Sequence, residues 1–214
     1  MLTARELYDS LESCYGCPDW WSDDPYRVMF QSVLVQNTAW TIVERVSGSI
    51  DPLTPGWVSS VPQAELEDAI KPCGMSRSKA ATIKALTRWF EGFGFDAAAT
   101  EGIPDDVLRR DLMSVRGIGA ETADVIMLYS FHRPVFVVDA YARRLLDRLG
   151  YDFRSDLEIK DFFETGLSHD AMLLGRCHRS ILDHCIAHCG KKAVCDGCPL
   201  AGMCRFGPRG SSSS

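Results

Sequence analysis

Apolar residues recur at helical spacing through most of the chain. Leu7, Tyr8, Leu11 and Tyr15 follow a Thr3/Glu6 pair spaced as a capping box, which predicts a first helix ending near Gly16. Asp24, with Pro25 behind it, opens a second periodic segment through Val28, Met29, Val33 and Leu34. The pattern breaks near "QNT" and resumes through Val43 and Val46. Past "DPLTPGWVSSVP", whose prolines and serines predict a loop, helical patterns cover about 62–70, 76–91, 105–115 and 120–131. "RPVFVVD" comes nearest to a strand, but it is short. It leads into "AYARRLLDRLG", a helix with Asp139 as N-cap candidate and Gly150 at its end. Ser155 with Glu158 makes a second capping box, and a long helix through "AMLLGRCHRSILDHCIAHC" runs into a group of cysteines. The tail "RGSSSS" reads as disordered or as a remnant of expression. The expectation is an all-α chain of about ten helices without internal repeats.

Composition narrows the setting. The 214 residues, 46% of them hydrophobic, suffice for one large domain or two small ones. No apolar run approaches the roughly 18 to 20 residues that span a bilayer. The N-terminus is amphipathic and acidic, unlike a signal peptide, so a soluble, cytoplasmic protein with no membrane partner is expected. Nine cysteines in such a setting point to reduced thiols or metal ligation. A formal charge of -6 exerts no global pull on nucleic acid, so a nucleic-acid partner would be held by a local basic face or by backbone amides.

"SVRGIGAETADVI" supplies such amides. Gly117-Ile118-Gly119 joins two helical patterns in a helix-hairpin-helix, and the free N–H groups opening the second helix can bind a phosphate oxygen without a basic side chain. Read locally, the same glycines also suit an ordinary helical connection.

The run "GIGAETADVIMLYSFHRPVFVVDAYARRLLDRLG" resembles the helix-hairpin-helix DNA glycosylases of the endonuclease III superfamily. The resemblance continues through "WWSDDPYRVMFQSVLVQNT", "IKPCGMSRSKA" and the terminal cysteines. It implies a two-lobed fold with a central DNA-binding cleft. One lobe is a helical bundle over 23–131 containing the hairpin; the other joins 1–22 to 132–214. It further implies that Asp139 is the catalytic carboxylate. Cleavage of an N-glycosidic bond builds positive charge on the sugar, which a carboxylate stabilises while orienting the attacking water. In bifunctional members, which also cut the backbone through a Schiff base, a lysine stands where this chain has Glu121. A glutamate forms no imine, so base removal alone is expected. The pairing of "WW", "QNT" with an aromatic, and a hairpin glutamate looks most like the 3-methyladenine glycosylase branch. Trp20, Trp21 and Trp40 then become the base pocket, attracting an N-alkylated purine by stacking and cation–π terms of about 0.5 to 2 kcal/mol. Gln36 matches the glutamine that fills the gap left by a flipped nucleotide, while Trp57 and Trp89 read as core. Gly117, Gly119, Arg143, Lys191 and Lys192 are candidate DNA contacts, with Arg77, Lys79, Lys84, Arg144 and Arg205 as further basic candidates.

The last four cysteines are spaced Cys189-x5-Cys195-x2-Cys198-x5-Cys204. Zinc sites usually take two separated C-x2-C pairs and this run holds one, so an iron-sulfur cluster fits better. The family's [4Fe-4S] loop has gaps of six, two and five, and this chain is one residue short in the first. His188 stands at the six-residue spacing and Cys185, a weaker substitute, lies one turn earlier, but a shortened loop using Cys189 is favoured because four thiolates suit the cluster. "CYGC" (Cys14, Cys17) reads as free structural cysteines, and Cys73 and Cys177 as packed residues.

The expectation is a monomeric base-excision-repair DNA glycosylase acting on a damaged base, an alkylated purine, flipped from double-stranded DNA. A bifunctional glycosylase/AP lyase on oxidised pyrimidines, a non-catalytic damage binder and a zinc-dependent interaction module remain alternatives.

Overall fold

The computed structural model describes residues 1–207. The tail "RGSSSS" lies outside the described residues. Among the described residues there are eleven α-helices, two 3-10 turns and no strand. None of these helices is long and apolar enough to cross a membrane. The chain divides into two compact units: Trp21–Arg133, and Met1–Trp20 together with the chain from Pro134 onward.

The continuous unit carries α2 (Pro25–Leu34), α3 (Trp40–Gly48), α4 (Pro55–Ser60), α5 (Gln63–Ala69), α6 (Ser76–Glu91), α7 (Asp105–Ser114) and α8 (Ala120–Phe131). Its centre is α2 against α8. Val28, Met29, Val33 and Leu34 are buried on one side, and Ala123, Ile126, Met127 and Leu128 on the other. Each large apolar side chain so buried contributes about 1.5 to 3 kcal/mol, which explains why α8 is apolar nearly all round. Two polar ties set the register: Tyr26 and Thr87 hydroxyls lie 2.7 Å apart, and Ser130 Oγ donates to the Pro25 carbonyl at 3.1 Å.

One helix departs from the sequence reading. Residues expected as a Pro-rich loop form α4, because Thr54 Oγ1 accepts from the Trp57 amide at 3.1 Å and Pro55 occupies the first helical turn. A capped N-terminus and buried Val58 outweigh the serines at its end.

The discontinuous unit comprises α1 (Ala4–Tyr15), α9 (Ala140–Leu149), α10 (Asp156–Gly166) and α11 (Ala171–Ala187). α11 packs on α1 and α9. α1 also crosses α10 where Gly166 leaves room for Ala4, since a Cβ there would stand 2.7 Å from the alanine's own. The capping box of α1 forms in full. At α10 only half of it forms: Ser155 Oγ accepts from Glu158 N at 3.3 Å, but the Glu158 carboxylate turns to Arg154 N at 2.7 Å. "RPVFVVD" takes no strand pairing, and its residues Phe136, Val137, Val138 and Asp139 are buried. Phe136 stacks on Phe163 at 3.9 Å, and its amide is satisfied by Glu164 Oε1 at 2.8 Å.

Candidate active site

The hairpin joins α7 to α8. Gly117 has φ +94°, and a Cβ there would lie 2.1 Å from Thr82 Oγ1, so both the backbone and the approach of α6 require glycine. Gly119 differs. It is the N-cap of α8 with an ordinary φ of -91°, and an added Cβ would meet nothing within 4 Å. No side chain caps α8 among the described residues, so its first amides and the positive end of its dipole face outward. Glu121 is exposed in that first turn. Gln36 Nε2 donates to the Gly117 carbonyl at 3.2 Å and to Thr122 Oγ1 at 3.1 Å, fastening the segment after α2 to the hairpin.

Lys79, a candidate DNA contact by sequence, is only 2% exposed. Its Nζ donates to Leu34 O at 2.8 Å, Thr38 Oγ1 at 2.7 Å and Cys73 O at 2.8 Å. All three ammonium donors are thus used to hold the chain around "QNT", and burial pulls the group below the ordinary lysine range. Lys84 likewise reaches inward to the carbonyls of Val61 and Ser59.

Trp21 and Trp40 are brought together edge to face at 5.2 Å, and Tyr129 meets Trp21 at 5.3 Å. Gln31, buried on α2, accepts from Trp21 Nε1 at 2.8 Å and donates to Ser47 at 2.8 Å, which fixes the indole plane. Trp20 belongs to the other unit. Trp89, read as core, donates Nε1 to Asp111 at 2.8 Å.

Asp139 caps α9. Its Oδ1 accepts from Tyr141 N at 2.9 Å and Ala142 N at 2.8 Å. Its Oδ2 lies 3.7 Å from Nε2 of His178, a residue of α11. Burial would raise the carboxyl, but His178 and the two amides outweigh it and hold the group below the usual carboxylate range. Asp139 is therefore an anion in a nearly closed setting. Arg143, one turn on, forms a two-pronged ion pair with Asp156 at 2.8 and 2.6 Å, and Arg144 Nε donates to the Cys189 carbonyl at 2.7 Å.

Cys189, Cys195, Cys198 and Cys204 line one cavity together with His184 and His188. Among the described residues, no three His, Cys, Asp or Glu side chains converge as a single metal ion would require. Arg148 fastens both ends of this loop. Its guanidinium donates to Cys189 Sγ at 3.2 Å and Gly190 O at 2.8 Å, while its own carbonyl accepts from Arg205 N at 3.0 Å. His188 Nδ1 is engaged with the Val194 backbone carbonyl at 3.0 Å, and Cys185 with Tyr141 O at 3.6 Å. Lys191 and Lys192 are exposed on the loop, and Cys14 and Cys17 are both exposed.

Residues 30–163 match the family model described as HhH-GPD superfamily base excision DNA repair protein. The chain belongs to this superfamily. It is 36% identical to "Putative DNA repair glycosylase MJ1434" of Methanocaldococcus jannaschii, over 93% of this chain and 94% of the relative. An endonuclease III trapped covalently on DNA superposes with TM-score 0.74 at 25% identity, over 96% of this chain and 97% of that one. The Helicobacter pylori 3-methyladenine DNA glycosylase MagIII, bound to 1,N6-ethenoadenine, shares the fold with TM-score 0.74 at 23% identity, covering 90% and 100%. The HhH-GPD protein described here is accordingly a base-excision-repair DNA glycosylase of the endonuclease III superfamily.

Sequence reasoning missed three residues that shape these sites: Lys79 as an internal tether, Gln31 as the anchor of Trp21, and His178 beside Asp139. The first two carry no local signal, since their partners lie up to 45 residues away. His178 had one. A histidine amid Leu174, Cys177 and Ile181 on the buried face of a helix must find a polar neighbour.

Proposed function

We propose that this HhH-GPD protein is a monofunctional DNA glycosylase that hydrolyses the N-glycosidic bond of an alkylated purine flipped out of duplex DNA. The observation that carries the reading is Asp139: a buried carboxylate, held ionised, with one oxygen fixed by backbone amides and the other outside that cap. An N-cap needs only one oxygen, and the second is suited to oppose the positive charge developing at the anomeric carbon and to orient water.

DNA is held chiefly through the uncapped start of α8. A phosphate oxygen takes the place of a capping side chain there, and Gly119 leaves the backbone open to its approach. Glu121 occupies the position at which a lyase would keep its amine and provides no nucleophile for an imine. The half-buried rings of Trp21 and Trp40, the first packed on buried Tyr129, offer π faces to a flipped base, and a cationic N-alkylated purine gains most from them. Such a base is already a good leaving group, so orientation and one carboxylate supply enough catalysis.

The four loop cysteines suit a [4Fe-4S] cluster by donor type and by their common cavity. Cys189, Cys195, Cys198 and Cys204 would hold it, since His188 and Cys185 are turned to backbone carbonyls. Its contribution when bound would be structural, ordering the loop that displays Lys191 and Lys192.

A panel of duplexes, each carrying one defined lesion, tests the substrate class by chromatography of the released base. Release of 3-methyladenine or another N-alkylated purine is expected, and release confined to oxidised pyrimidines would reject the reading.

A further inference from the structure

We infer that His178 is the positioning residue of the reaction, aiming Oδ2 of Asp139 from a separate helix. The inference rests on the reading of Asp139 as the catalytic carboxylate. It starts from an asymmetry in how that side chain is held. Both backbone amides that restrain it act on Oδ1, at 2.9 and 2.8 Å, and leave rotation of the carboxylate plane about that contact unopposed. The structure places His178 Nε2 3.7 Å from the other oxygen, and this imidazole comes from α11, thirty-nine residues later. At 3.7 Å the imidazole is beyond hydrogen-bond length and acts on the second oxygen electrostatically, from the side that the two amides leave unrestrained.

His178 is itself well held. It is 4% exposed, and its ring stands nearly perpendicular to Phe136 at 6.2 Å. Phe136 in turn stacks on Phe163, and Glu164 accepts its amide hydrogen. The residues that lead into Asp139 and those that orient His178 are thus one packed group. His178 and Cys185, both on α11, act electrostatically on or with Asp139. Of the two, His178 supports the anion and offsets its burial. Misplacement of a reacting group by about 1 Å can cost as much as 100-fold in rate, which sets the scale for losing this anchor.

The test compares His178→Leu, which removes the polar edge, with His178→Gln, whose amide N–H can still reach Oδ2. Single-turnover base release and affinity for a duplex carrying an abasic analogue are measured for each, with Asp139→Asn as control. Expected are a loss of roughly 10- to 100-fold in release rate for His178→Leu, recovery to within about threefold of the parent rate for His178→Gln, and affinities unchanged within about twofold. Should the leucine variant not fold, His178→Asn takes its place, its shorter amide falling short of Oδ2 with the same expected loss. A parent-like rate in the leucine or asparagine variant overturns the inference, as does an equal loss in the glutamine variant or a fall in affinity that matches the fall in rate. If Asp139→Asn still releases base, the reading of Asp139 itself fails; an inactive Asp139→Asn beside a fully active His178→Leu removes His178 alone.

Discussion

Two consecutive helices, α8 and α9, begin in opposite ways. α8 starts on Gly119 with no side chain over its amides, and its first turn is exposed. α9 starts on a buried aspartate whose Oδ1 takes two of its amides at once. An open helix start costs the fold a cap worth about 1 kcal/mol, and a buried carboxylate costs desolvation, so neither arrangement is what stability alone selects. The open N-terminus is the form that receives an external anion. The closed one keeps an anion of the protein's own, with an oxygen left over. On the proposed reading, one helix start binds and the other reacts.

Changing the reactive end should have the largest effect. Asp139→Asn keeps the capping oxygen, and asparagine caps about as well as aspartate, so stability and DNA affinity should hold while single-turnover base release falls roughly 10²- to 10⁴-fold. Next in size are the hairpin glycines, which separate packing from binding. Gly117→Ala forces a side chain into Thr82 at positive φ and should lower the free energy of unfolding in denaturant by about 1 to 3 kcal/mol. Gly119→Ala has room in the fold and should leave unfolding unchanged, yet weaken duplex binding by about tenfold, the worth of one charge-assisted hydrogen bond.

The pH dependence follows from the direction of the Asp139 shift. Because the folded carboxyl lies below its ordinary value, the anion persists as pH falls through about 4, where a free aspartate would take up its proton. Its contribution to stability is present above that point and is lost only as pH drops through the lower, folded value. The profile of kcat/KM should therefore show no acid limb from Asp139 above about pH 4, and a carboxyl carbon signal of Asp139 titrating at or above about pH 4 by NMR would refute the low value. The smallest effect is expected at Glu121: Glu121→Gln, having lost no nucleophile, should change base release by less than about threefold.

Much of this architecture can be read from the chain because its signals are local. The Thr3/Glu6 box, Pro25 after Asp24, and the Gly-Ile-Gly turn each fix a helix end through residues no more than three positions apart. What escaped the sequence is held by distant partners or by competing local signals. α4 was hidden because Thr54 and Pro55 start a helix inside a segment whose composition signals a loop. Lys79 could be placed inside only by knowing that Leu34, Thr38 and Cys73 present three oxygens to it. At Asp139 the sequence carries two meanings, cap and, on the proposed reading, catalyst, and they are compatible because each would use a different oxygen. His178 is the clearest limit, since nothing near residue 178 in the chain names residue 139 as its neighbour.

The central claim, base removal by a carboxylate without strand cleavage by an amine, is tested most directly on a single-lesion duplex sampled before and after hot alkali. The account predicts abasic sites that become strand breaks only after alkali, and at least about 100-fold slower formation of both with Asp139→Asn. Strand breaks before alkali, or a covalent protein–DNA adduct trapped by borohydride, would contradict it.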